Sequence, residues 1–154
     1  MKVAVHGRLR YEADRLRLEA IIQLLKQKFA VLHFTKELAH MDVANGDPII
    51  EADTFNEGQF DVLVSIGGDG TILDSVRKVG RSGIPIFGVN SGRLGFLAST
   101  PFEELSQAAD RLLSGQFQVD RRTLVQANTD KKLFGDKNFA LNEVSILSRG
   151  FDEF

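Results

Sequence analysis

The sequence predicts an α/β fold: a three-layer parallel-sheet domain followed by the first antiparallel strands of a β-rich unit. Three observations carry this reading. Short apolar runs such as Val62-Leu63-Val64-Ser65-Ile66 lack polar alternation, as expected of strands covered on both faces. They alternate with stretches of helical periodicity, the order that βαβ crossovers require. Beyond Gly115 the pattern changes to strand-like runs split by a polar turn.

In chain order, Val3-Ala4-Val5 predicts a first buried strand ended by Gly7. Apolar residues at 18, 21, 22, 25 and 29 then predict a helix between Tyr11 and Phe29, with Arg15, Arg17, Glu19, Gln23 and Lys26 facing water. Ala30 to Phe34 reads as the second strand. From Thr35 to Gln59 the pattern dissolves, predicting a surface connection with at most a short helix or strand. Phe60 to Ile66 is a strand entering the turn Gly67-Gly68-Asp69-Gly70-Thr71, and Ile72, Val76 and Val79 recur at helical spacing after it. Gly83 to Asn90 is a further strand whose proline sits at its start, where no N–H is needed. Ser91 to Leu97 forms a second glycine-punctuated loop at that strand's carboxyl end, the edge where open parallel sheets collect ligands. Thr100 as N-cap and Pro101 at the first position predict a helix with a buried stripe of Phe102, Leu105, Ala109, Leu112 and Leu113. The expected division is therefore 1–115, a Rossmann-like nucleotide-binding domain, and 116–154, whose antiparallel strands run over Phe117 to Ala127 and Phe139 to Leu147.

Composition narrows the function classes. A chain of 154 residues holds one domain, or one and the beginning of another. A formal charge of −2 offers no basic field, which argues against nucleic acid or an anionic membrane as the main partner. The absence of cysteine excludes disulfides and thiolate zinc sites and fits a reducing compartment. The opening apolar run is too short for a signal sequence, and no window approaches the roughly 18 apolar residues of a membrane span, so a cytoplasmic protein is expected. His6, His33 and His40 are too scattered for a metal or triad pattern and read as structural.

The chemistry lies in the two glycine loops. A strand, a glycine turn and a helix start let backbone N–H groups approach phosphates. The turn has neither the lysine of a P-loop nor the Gly-x-Gly-x-x-Gly spacing of a dinucleotide fingerprint. It carries Asp69 instead. A carboxylate there repels phosphates unless it binds a metal or takes a proton from an attacking hydroxyl, both of which belong to phosphoryl transfer. The bland alternative is that Asp69 shapes the turn or caps the helix.

Gly67-Gly68-Asp69-Gly70-Thr71, then Gly88 to Leu97, then Leu141-Asn142-Glu143-Val144 resemble, in order and spacing, the NAD kinases. The first motif is shared with the diacylglycerol and sphingosine lipid kinases and, loosely, with phosphofructokinases; the other two narrow the resemblance. It implies transfer of the terminal phosphoryl group of ATP, or of polyphosphate, to the 2′-hydroxyl of the adenosine ribose of NAD. Asp69 would be the general base and a candidate metal ligand. Gly67, Gly68, Gly70 and Thr71 would receive nucleotide, Asn142 and Glu143 would hold ribose hydroxyls, and Phe96 would line the adenosine pocket beside Asn90 and Leu94. Arg77 and Arg93 read equally as phosphate contacts or as surface. Mg2+ is expected to arrive with the donor nucleotide. The resemblance further implies NAD and ATP as partners, no nucleic acid or membrane, and a homo-oligomer, dimer or tetramer, in the complete protein. It makes 116–154 the truncated start of a β-rich NAD-binding domain. A lipid kinase of the diacylglycerol type and a catalytically silent nucleotide-binding module are the rival readings.

Overall fold

Continuous apolar runs become the sheet's centre. β1 (Val3–Gly7) and β4 (Val62–Gly67) are buried at every residue and pair in parallel from Val3 opposite Val62 to Gly7 opposite Ile66. The computed structural model describes residues 1–8, 12–92, 95–98, 100–131, 133–135 and 138–145. Contacts divide the chain into two compact units, Met1–Asp120 and Arg121–Phe154.

In the first unit, β2 (Leu32–Thr35), β3 (Ile49–Ile50), β5 (Ile86–Asn90) and β6 (Thr100–Pro101) complete a six-stranded, wholly parallel sheet in the order β3-β2-β1-β4-β5-β6. Alternate residues of a strand point to opposite faces, and two cores follow. On one face Val3, Val5, Phe34, Val62 and Val64 meet Leu18, Ile21, Ile22 and Leu25 of α1 (Arg15–Lys28) and Leu105, Ala109 and Leu112 of α3 (Leu105–Leu113). On the other, Ala4 and Leu63 meet Val79 of α2 (Asp69–Val79) together with Phe55, Phe60 and Ile84. Burying an aliphatic side chain contributes about 1.5–3 kcal/mol, so the four-residue stripe of α1 readily offsets the exposed Leu16 on its outer side. The α/β class and three layers are as the sequence predicts.

Four local expectations are corrected. Thr100 is no N-cap: it pairs in parallel with Val89, and Pro101 sits at the sheet edge with extended backbone (φ −71°, ψ 158°), where a missing N–H costs nothing. A 3-10 turn over Phe102–Glu104 then leads into α3. Leu113 falls off the buried stripe and is exposed. The segment between β2 and the glycine turn is no mere surface connection, because Leu38, Met41, Val43, Ala44, Ile50 and Phe55 are all buried. They escape periodicity analysis because turns and the short 3-10 stretch Asp42–Ala44 bring them inward one at a time.

The second unit, described by itself, is an antiparallel pair: β7 (Val125–Gln126) and β8 (Phe139–Ala140), with Val125 opposite Ala140. Asn138 extends the pairing by donating Nδ2–H to Ala127 O at 3.0 Å and accepting Ala127 N–H at its own carbonyl at 2.8 Å. These strands are shorter than the sequence suggests. Residues 141–145 have left the ladder, and 146–147 lie outside the described residues.

Candidate active site

Strand order reverses between β1 and β4: β2 and β3 continue to one side, β5 and β6 to the other. A crevice forms at such a switch point, outside the carboxyl ends of the strands. Here it is a cavity of about 210 Å³. One wall is the turn from Gly67 to Thr71; Asn90, Ser91 and Gly92 follow β5 on a second side; Arg8, Asp14 and Leu18 follow β1 on a third.

The turn is built by two different requirements. Gly67 has φ 153°, and a Cβ there would lie 2.8 Å from Thr71 Cβ, so no side chain fits between the end of β4 and the first turn of α2. Gly68 has φ −98°, serves as the N-cap of α2 through its backbone, and faces open space. Asp69 is the first residue of α2, where the helix dipole favours an anion.

Its carboxylate neither caps the helix nor turns back into the glycine loop. It reaches the second loop and accepts three backbone N–H groups: Phe96 on Oδ2 at 3.0 Å, and Leu97 and Ala98 on Oδ1 at 2.9 and 3.3 Å. Hydrogen bonds from Leu97 and Phe96 outweigh desolvation and, with Ala98 adding to them, hold its pKa below the ordinary aspartate value. Gly95 leaves the necessary room, since a Cβ on it would come within 2.7 Å of Asp69 Cγ. Buried Asn90 ties down the same loop from both ends, accepting Gly92 N–H on Oδ1 at 2.7 Å and donating Nδ2–H to Ala98 O at 3.5 Å. The glycine motif and the Gly88 to Leu97 motif are thus halves of one hydrogen-bonded object.

Beneath α2 runs a polar seam that holds the helix on the sheet. Ser75 donates to Ser65 at 2.8 Å, and Lys78, almost fully buried, donates to Glu37 at 2.8 Å. Glu37 lies 3.5 Å from His6 Nδ1, which also contacts Thr35 Oγ1 at 3.0 Å. Burial, reinforced by Lys78, pushes His6 down to about 4. Burial pushes Glu37 up, but hydrogen bonds from Lys78 and Thr35 prevail and hold it at about 2. The histidines read as structural include one, His6, that braces the helix carrying Asp69.

Of the residues singled out in sequence, Gly67, Gly68, Asp69, Gly70, Thr71 and Asn90 line one cleft. Phe96 joins them through its N–H, while its ring is 99% exposed. Asn142 and Glu143 are exposed residues of the second unit, just past β8. Leu94 and Arg93 lie outside the described residues, and Arg77 is exposed near the end of α2. Sequence reading did not single out Arg8, Asp14 or the spacing role of Gly95. Arg8 was detectable in principle, because it directly follows a central strand at its carboxyl end.

A family model described as the ATP-NAD kinase N-terminal domain matches residues 13–117. An NAD kinase of Cytophaga hutchinsonii is 51% identical over 92 residues, covering 60% of this chain and 32% of that protein. An NAD kinase of Bacteroides fragilis is 34% identical over 152 residues, covering 97% of this chain and 52% of its own length. The crystal structure of yeast NADH kinase complexed with NADH shares the fold, with a TM-score of 0.61 at 23% identity over 80% of this chain and 41% of that one. The chain spans from a third to about half of the length of these curated relatives. With the glycine turn, the latched second loop and a family match across most of the first unit, the chain belongs to the ATP-NAD kinase N-terminal domain family.

Proposed function

We infer that this chain carries the reaction centre of an NAD kinase, moving the terminal phosphoryl group of ATP, or of polyphosphate, to the adenosine 2′-hydroxyl of NAD to give NADP. The observation that carries the reading is the state of Asp69. A carboxylate has about four acceptor positions, and three are taken by backbone N–H groups, two on Oδ1 and one on Oδ2. Oδ2 therefore keeps one lone pair for an incoming hydroxyl.

In the step proposed, the ribose O–H donates to Oδ2 while its oxygen forms a bond to the terminal phosphorus. The bond from that phosphorus to the bridging oxygen breaks, ADP departs with the electron pair, and the proton passes to Oδ2. A carboxylate whose pKa is depressed is fully ionised at neutral pH yet weakly basic. It suits a loose transition state in which positioning matters more than early proton removal. The exposed Phe96 ring offers a face for adenine. Asn142 and Glu143, exposed and close in sequence to a short strand, are read as ribose contacts.

Mg2+ binds chiefly through substrate phosphates with one or two carboxylates and water. Among the described residues no group of three or more His, Asp or Glu suits a metal, while Asp14 and Asp69 both line the cleft. That donor set fits an ion brought in by the nucleotide, which would screen phosphate charge when bound. We further read the complete protein as a cytoplasmic homo-oligomer with no nucleic-acid or membrane partner, on the strength of the family and the net charge of −2.

The test pairs calorimetric titration of the chain with NAD against transfer of labelled terminal phosphate from ATP to NAD, with diacylglycerol vesicles as competing acceptor. Transfer to NAD supports the reading. Binding without transfer favours a silent module, and labelled lipid favours the lipid kinase. In an active preparation Asp69→Asn should lower turnover by about 10²–10⁴-fold with little change in NAD affinity; undiminished turnover removes Asp69 from the mechanism.

A further inference from the structure

The glycine turn has no lysine, and the cleft it walls is lined by two carboxylates, Asp14 and Asp69. Such a site repels phosphate unless a cation answers. Among the described residues that line it, only Arg8 is cationic. Arg8 follows β1 directly, so it stands at the point where strand order reverses, across the crevice from the carboxyl end of β4. Its guanidinium is held from α2: Nη1 lies 3.2 Å from Asp74 Oδ2, with Arg8 half exposed and Asp74 mostly covered. Asp74 belongs to the same helix whose first residue is Asp69.

We propose that Arg8, braced by Asp74, is the phosphate-recognising cation of this cleft, its ligand a nucleotide's phosphate oxyanions. The fork of five donors on a guanidinium matches phosphate geometry, and its contact with Asp74 runs through Nη1 at 3.2 Å. An ion pair this exposed adds little stability. Its consequence is orientation: it limits where the guanidinium swings and couples the end of β1 to the helix that positions Asp69. Asp74 is a positioning residue in this scheme, and Arg8 touches ligand. The proposal deepens the phosphoryl-transfer reading and rests on it for the source of the phosphate, but the recognition itself needs no turnover.

The test titrates the full chain, wild type and variants, separately with tripolyphosphate, ATP with magnesium, and NAD. Arg8→Gln should weaken at least one of the three by tenfold or more, with Arg8→Lys recovering part of the loss; the arm that moves identifies the source. Asp74→Asn should weaken the same arm by several-fold, and a gain in affinity there would overturn the bracing role. Thermal unfolding checks that each variant is folded. Arg8→Gln affinities within twofold of wild type in all three arms, or no binding of any probe by wild type, overturn the proposal. The kinase reading fails independently: absence of phosphoryl transfer to NAD with tripolyphosphate binding lost in Arg8→Gln leaves Arg8 standing and removes the enzyme.

Discussion

Replacing Gly67 and Gly68 one at a time by alanine separates two jobs that look identical in the motif. At Gly67 the new Cβ lies 2.8 Å from Thr71 Cβ, a backbone-anchored atom at the start of α2 that cannot swing aside, and φ of 153° is a conformation that L side chains avoid. Overpacking costs about 1–3 kcal/mol, and a glycine-only backbone conformation about another 1–3 kcal/mol. The sum, about 2–6 kcal/mol, is a large part of a domain's stability of about 5–15 kcal/mol. At Gly68 the Cβ meets nothing within 4 Å and φ is already −98°. There the loss of a favoured N-cap residue, about 0.5–1 kcal/mol, opposes a similar gain from a stiffer unfolded chain. Thermal unfolding followed by circular dichroism should show the midpoint of Gly67→Ala lowered by roughly 4–24 °C, at about 2–4 °C per kcal/mol for a chain of this length. Gly68→Ala should stay within about 2 °C of wild type on the same conversion. Its methyl group projects at the cleft wall, so nucleotide affinity should drop although stability does not. Equal midpoints for the two variants would refute the division.

Other outcomes follow from the same geometry. Gly95→Ala places a methyl group against the Asp69 carboxylate, so the second loop should lose protection from amide exchange at Phe96, Leu97 and Ala98 while the core strands keep theirs. Unchanged exchange at those three amides would mean that the latch is not what orders the loop. For His6, the folded pKa of about 4 lies below 6.5, so the unfolded chain binds the proton first. Stability is complete above pH 6.5 and falls as pH drops towards 4, by about 3 kcal/mol for that single group; urea midpoints of wild type and His6→Asn across this range should diverge accordingly. Glu37 contributes in a lower window, being stabilising above about 4.5 and losing this as pH falls towards 2. Lys78→Met should therefore destabilise most at neutral pH, where it strands an ionised Glu37, and least near pH 2.

Much of the first unit was legible because its strands are continuous apolar runs and its long helices repeat every three to four residues. Short elements were not. β3 and β6 have two residues each, too few for any period, and exist because a neighbouring strand edge accepts their hydrogen bonds. Thr100-Pro101-Phe102 followed by two acids carries every local mark of a helix start, yet pairing with β5 outweighs that preference. Leu38, Met41 and Val43 look like scattered apolar residues until the sheet supplies a surface to cover.

By itself the sequence determined the class of fold, the position of the glycine turn at the end of a central strand, and Asp69 as the unusual group within it. Those are local matters: periodicity, β-branching and the spacing of glycines along one stretch of chain. Only the tertiary structure decided that Asp69 reaches 27 residues ahead to hold the Phe96 amide, that Gly95 is small to make room for it, and that Arg8, just past the first strand, lines the same crevice. No spacing rule encodes these, because each depends on which strands become neighbours. The reversal of strand order between β1 and β4 brings together segments some sixty residues apart and turns a glycine motif into a cleft that Arg8 and an ionised Asp69 both line.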